Sequence, residues 1–231
     1  MPSVYQCALA ANAIYDEKQK SAGSFHLRHP YGNPGSGLFL GVYDDEAGRC
    51  AIVAIRGTQL TDLEDLKSDI QIAFGQVPDE ALRADSWLKH ARPERGGREV
   101  WLTGHSLGGG IAALLAVKNG LPVVTFNAPG VARAFAYDDL LRPMGVENVH
   151  AIDMSRILHV RSMFDPVSLA TGRQFGDVRS IWVEHDLTPA ALTMIGGPVL
   201  GVSSFLLQEH SMDRVLSAVA RTPEFHRDLR R

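Results

Sequence analysis

The sequence predicts an α/β fold with a largely parallel central sheet, and three observations carry that prediction. Short apolar runs rich in Val and Ile alternate with helical runs, and turn residues punctuate their ends. A G-x-S-x-G pentapeptide, Gly104-His105-Ser106-Leu107-Gly108, stands where a strand-like run meets a helical one. Polar and glycine-rich residues stand at the strand ends, as in Arg56-Gly57-Thr58 and Asn127-Ala128-Pro129-Gly130, where sites of parallel sheets form.

Taken in order, the first element is a helix from Val4 to about Lys20, with apolar positions at Val4, Leu9, Ala13 and Ile14. Residues 21–37 (SAGSFHLRHPYGNPGSG), rich in Gly, Pro and Ser, read as a loop. Leu38–Tyr43 and Cys50–Ile55 read as two strands joined by a hairpin turn over 44–49, and the second runs straight into Arg56-Gly57-Thr58. Helical stretches are expected over Thr61–Ile70 and about Glu80–Ala91. The strand Arg98–Thr103 then feeds the pentapeptide, and a helix over Leu107–Val117 leaves it. Strands follow at Leu121–Phe126, Ile157–Arg161 and Val178–Val183, and a C-terminal helix is expected to start at His210.

Composition bounds the class of protein. At 231 residues with 45% hydrophobic and 21% charged content, one globular domain over 1–231 is the expectation. A net charge of -3 and a pI near 6.3, with no basic stripe interleaved with aromatics, argue against nucleic acid as a partner. Cys7 and Cys50 form no C-x-x-C pair, so two buried thiols are the simplest account. The first residues lack a basic region before the apolar stretch, so the chain is expected to be made in the cytoplasm; export by a route that reads no such peptide stays open.

The chemistry centres on Ser106. A serine on a sharp strand-to-helix turn projects its hydroxyl above the sheet edge. The N–H of the next residue, Leu107, lies at a helix N-terminus, where unpaired donors favour a developing oxyanion. Such a serine needs a base and an orienting carboxylate, which on α/β folds carrying this strand-to-helix elbow follow it in the order Ser, acid, His. Of the later histidines, His159 lies inside an apolar strand and reads as a core residue, His150 ends a loop, and His226 lies in a basic tail. His210 is the preferred base, because a rigid helix follows it, with His185 second. Asp165 is the preferred acid, since Pro166 holds it extended, with Asp177 and Asp186 as alternatives. Thr58, at a strand end after Gly57, is placed to supply a second oxyanion donor.

Together, AIRGT (54–58), DLKSDI (65–70), TGHSLGGGIAALLA (103–116), TFNAPGV (125–131), HVRSMFDPVS (159–168) and EHSMDRV (209–215) resemble the class 3 lipases, the fungal-lipase-like α/β-hydrolases. The likeness runs from about residue 38 to 216. It implies an α/β-hydrolase fold, a Ser106 nucleophile, an Asp165 acid, a His210 base and an oxyanion hole at Thr58 and Leu107. The implied chemistry needs no metal or organic cofactor. Two positions depart from the family pattern: Leu66 stands where an aromatic is usual, and Gly130 follows Pro129 where an arginine is common. The short chain is most similar to compact bacterial members, among them phospholipases and lipase effectors delivered to other cells. That placement leaves room for a delivery or neutralising partner protein.

Residues 187–208 (LTPAALTMIGGPVLGVSSFLLQ) carry no charge. Pro189 and Gly196-Gly197-Pro198 would break a single membrane-spanning helix, so two short apolar helices are expected, serving either as core or as a cap over an acyl pocket. Arg221, Arg227, Arg230 and Arg231 near the C-terminus, with Arg214 before them, read as a solvated basic surface that could also meet anionic head groups. The expected substrate is a lipid ester or phospholipid, met in transient contact with a membrane surface. A catalytically silent lipid- or partner-binding protein, a thioesterase and a peptidase are the competing readings.

Overall fold

A computed structural model of the protein describes residues 1–16, 18–32, 38–57, 79–91, 97–130, 153–171, 174–184 and 205–229. The predicted helix over Thr61–Ile70, most of the uncharged stretch 187–208, Thr58, His150, His185, Asp186, Arg230 and Arg231 lie outside the described residues.

Among the described residues one eight-stranded sheet runs in simple sequence order: β1 (Ser21–Ala22), β2 (Phe25–Gly32), β3 (Phe39–Asp45), β4 (Cys50–Ile55), β5 (Glu99–His105), β6 (Val123–Phe126), β7 (Ile157–Ser162) and β8 (Asp177–Ile181). Pairing is antiparallel from β1 to β4 and parallel from β4 to β8. The helices are α1 (Val4–Ala13), α2 (Asp79–Ala91), α3 (Leu107–Asn119), α4 (Pro166–Ala170) and α5 (Met212–Ala220), with a further helical segment over 205–210.

The central strands are apolar on both faces because both faces are covered. Ile52, Ala54 and Trp101 point to the side where α1 and α5 pack, in a cluster with Val4, Cys7, Val215 and Val219. Their sequence neighbours Val53, Ile55, Val100 and Leu102 point to the other side, against Leu88 of α2 and Ile111, Leu114 and Leu115 of α3. The period-two alternation of Cβ directions therefore divides one continuous apolar run between two cores.

Two predicted elements differ. The first helix ends at Ala13, with Ile14 as its C-cap, rather than near Lys20. Asp16 accepts the Lys18 N–H through its side chain at 2.9 Å, a local bond that competes with helix continuation. At the other end Ser3 and Gln6 form a reciprocal capping box. The predicted loop over 21–37 contains β1 and β2 instead. Beyond His26, β2 has a ladder partner only in β3, carries a bulge between Leu27 and His29, and is mostly exposed. An edge strand of that kind accepts Pro30 and polar residues, so it shows none of the apolar alternation of an inner strand.

Cys7 and Cys50 are free and buried, and burial pushes both thiols up, Cys50 to about 12. Among the described residues no helix is long and apolar enough to cross a membrane.

Candidate active site

The carboxyl ends of four parallel strands meet in one place. Gly57 follows β4, Ser106 follows β5, Asn127 follows β6 and Asp165 follows β7. Ligand sites of open α/β sheets form at this edge.

Ser106 is buried and is the N-cap of α3, with φ 55° and ψ −132°. That conformation is one L-residues rarely adopt, at a cost of about 1–3 kcal/mol. It is held by backbone. The Ser106 N–H donates to the Phe126 carbonyl at 3.0 Å, and its own carbonyl accepts the Gly110 N–H at 3.1 Å. The flanking glycines allow contacts that no side chain would. A Cβ on Gly104 would lie 2.5 Å from the Gly108 carbonyl group, and one on Gly108 would collide with the Ile55 carbonyl oxygen. A Cβ on Gly57 would lie 2.7 Å from the His105 carbonyl oxygen. The Arg-Gly turn and the G-x-S-x-G turn are thus packed backbone to backbone. Leu107 opens α3, so its N–H belongs to the first-turn donors that helix geometry leaves without an intrahelical acceptor.

Asp165 and His210 come together across 45 residues. The His210 Nδ1–H donates to Asp165 Oδ1 at 2.6 Å, in a buried pair. Asp165 is also the N-cap of α4, and its Oδ2 accepts the Ser168 N–H at 2.7 Å, so both carboxylate oxygens have fixed partners. Since a carboxylate only accepts, the proton sits on Nδ1 and a neutral ring carries its lone pair on Nε2. Nε2 is buried and has no hydrogen-bond partner among the described residues. His210 does not open the C-terminal helix, as expected from sequence, but closes a helical segment over 205–210, with Ser211 as the N-cap of α5.

The other candidates fall elsewhere. Asp177 is exposed at the start of β8. His159 is buried against Thr125, at 2.6 Å, and burial pushes its imidazole down to about 4. His226 packs at a tilt against Tyr5 at the surface and bonds to the Ala220 carbonyl at 2.8 Å. Arg221 pairs with Glu184 at 3.0 Å on the surface.

Sequence reasoning assigned no role to a set of side chains that hold the histidine's backbone. Asn127, with φ 44°, donates through Nδ2 to the Glu209 carbonyl at 2.7 Å and accepts the Ser162 N–H at 2.7 Å. Ser162 Oγ donates to the same Glu209 carbonyl at 2.6 Å. His105 Nε2 bonds to the His210 carbonyl at 2.7 Å, and the two rings lie 4.8 Å apart. The only textual signal for Asn127 was an Asn directly after a strand, a residue that tolerates the left-handed region.

Comparison with known proteins agrees with this architecture. The phospholipase-like family described as the Tle-like phospholipase domain matches residues 6–186, a span that contains Ser106 and Asp165 and stops short of His210. The chain is 29% identical over 233 aligned positions to the extracellular phospholipase A1 of Serratia liquefaciens, covering 94% of this chain and 70% of that one. It is 46% identical over 68 residues to ATG15 of Scheffersomyces stipitis, named as a lipase, which is 29% of this chain and 10% of that protein. The chain thus spans about a tenth of the length of the first curated relatives it matches, 10% and 12%. A triacylglycerol lipase of Penicillium expansum superposes with a TM-score of 0.55 at 14% identity, over 91% of this chain and 95% of that one, and shares the α/β-hydrolase fold. With most of its length matched, the chain belongs to the Tle-like phospholipase domain family.

Proposed function

We propose that the protein is a serine carboxylic-ester hydrolase acting on acyl esters of lipids, with phospholipids as its substrate class. Ser106 is the nucleophile, His210 its general base and Asp165 the group that orients the imidazole. The Leu107 N–H and Thr58 are the oxyanion donors, Thr58 on the strength of the Arg-Gly-Thr sequence after β4. The Ser106 hydroxyl proton passes to His210 Nε2 as Oγ bonds the ester carbonyl carbon. The same proton then goes to the leaving alcohol oxygen as the ester C–O bond breaks. A water repeats the sequence and releases the acid. Protons and electrons balance without a metal or organic cofactor.

The observation that carries the reading is the buried Asp165–His210 contact, which by the acceptor chemistry of the carboxylate puts the proton on Nδ1 and leaves Nε2 an acceptor with no partner among the described residues. The family match and the phospholipase A1 relative support the lipid class. Transient contact with a lipid surface is supported by an exposed apolar group around the Asp165 loop. Met163, Phe164, Leu169 and Trp182 are exposed there, and Phe164 lies 6.2 Å from Trp182 and 6.0 Å from Phe205.

A fluorophosphonate probe should label Ser106, as mapped by peptide mass, and Ser106→Ala should lose both labelling and turnover with an unchanged thermal melt. Retained turnover in that variant would overturn the assignment. p-Nitrophenyl esters of rising chain length, phospholipids and triacylglycerols, with products identified, test the substrate class.

A further inference from the structure

One chain of hydrogen bonds links the turn after β4 to the backbone of His210. The Gly57 N–H lies 3.2 Å from Tyr15 Oη, Tyr15 Oη lies 3.1 Å from His105 Nδ1, and His105 Nε2 lies 2.7 Å from the His210 carbonyl oxygen. It joins residues 90 and 105 positions apart in sequence. Its direction is set by chemistry. The His210 carbonyl can only accept, so His105 carries its proton on Nε2; the opposite tautomer would face two lone pairs at that contact. Burial, and next the charge of a protonated His210, push the His105 imidazole down to about 3, so the ring is neutral and Nδ1 is an acceptor. Tyr15 therefore donates its O–H to Nδ1, and its oxygen accepts the Gly57 N–H. Burial also pushes the Tyr15 phenol up to about 12, which keeps that proton in place.

We propose that Tyr15 and His105 are positioning residues that set the distance between the Arg56-Gly57 turn and the base His210. Asn127 and Ser162 pin the Glu209 carbonyl from the β6–β7 side, while His105 pins the next carbonyl, that of His210, from the β5 side. With successive carbonyls fixed, the imidazole keeps only its side-chain torsions, and Asp165 takes those up. Tyr15 extends this hold to the turn after β4. Gly57 leaves the room: a Cβ there would lie 2.9 Å from Tyr15 Oη. The inference rests on His210 being the base.

The test uses Tyr15→Phe, His105→Gln, His105→Asn and Tyr15→Phe/His105→Gln, with kcat and KM on a short soluble p-nitrophenyl ester and the rate of fluorophosphonate labelling. Gln places an amide N–H near the former Nε2 and keeps the bond to His210; Asn places its oxygen near the former Nδ1 and loses it. A displacement below an ångström should lower kcat and the labelling rate about tenfold in Tyr15→Phe, with KM changed less than twofold. His105→Gln should exceed His105→Asn in kcat, and the double variant should match His105→Gln, because the two side chains act in one chain. Wild-type kcat in Tyr15→Phe, a loss confined to KM, or additive losses in the double variant would overturn the proposal. Should the variants fail to fold, long-range 15N NMR of the wild type decides: a neutral Nε2–H tautomer at His105 from pH 5 to 9 supports it, and an Nδ1–H or charged ring overturns it. Full turnover in Ser106→Ala would sink the hydrolase reading itself, whereas an inactive Ser106→Ala beside a wild-type Tyr15→Phe removes only this inference.

Discussion

The serine and the histidine of this site are held by different means. Ser106 is held by backbone: glycines at 57, 104 and 108 let three chain segments touch where any Cβ would collide. His210 is held by side chains: Asp165 on its ring, His105 on its carbonyl, and Asn127 and Ser162 on the carbonyl before it. Close backbone packing fails by steric collision, which costs stability. A side-chain hydrogen-bond cage fails by loss of aim, which costs rate while the fold persists. The two halves should therefore separate in experiments that measure melting and turnover side by side.

Asp165→Asn should show the largest effect on the histidine side. An amide in place of the carboxylate removes the charge that stabilises imidazolium and permits the wrong ring tautomer, so kcat should fall about 10³-fold or more. Steady-state kinetics check the rate and a thermal melt checks the fold; a melt that collapses with the rate would erase the contrast. On the serine side, Gly108→Ala drives a methyl into the Ile55 carbonyl and the Arg56 backbone and should cost about 3 kcal/mol of stability. Urea unfolding measures it, and a loss below about 1 kcal/mol would mean that the two turns can part cheaply.

Taken per ring and per pH unit, the smallest of these effects is graded and belongs to the buried imidazoles. His105 and His159 are pushed down to about 3 and about 4 from an ordinary 6.5, so below pH 6.5 the unfolded chain binds protons that the folded one refuses. Their contribution to stability is full above pH 6.5 and is lost as pH falls toward 4 for His159 and toward 3 for His105, at up to about 1.4 kcal/mol per pH unit for each ring. Urea midpoints from pH 7 to 4.5 follow it, and His159→Asn should shallow the slope by about one proton.

This contrast also explains what could be read from the sequence. Backbone devices leave local text: Gly-His-Ser-Leu-Gly between a strand and a helix placed Ser106, and Asp165-Pro166 after a strand pointed to the carboxylate. His210 was legible as a late histidine just ahead of a helix, though that helix starts at Met212 and His210 itself closes the segment before it. The cage was not legible, because Tyr15, His105, Asn127 and Ser162 become partners only through tertiary contacts between distant positions. β2 was missed for another reason: a bulged edge strand with an exposed outer half and a proline shows no apolar alternation.

The conformation of Ser106 has a consequence for evolution. At φ 55° and ψ −132° the fold would be better served by glycine, which meets no Cβ penalty there. Ser106→Gly should therefore be inactive yet about 1 kcal/mol more stable than Ser106→Ala, once the greater backbone freedom of unfolded glycine is set against the relieved strain. A lineage released from selection for hydrolysis would gain robustness by losing this serine. Under the proposed hydrolysis, the strain at Ser106 is the stability that a reactive serine costs this fold.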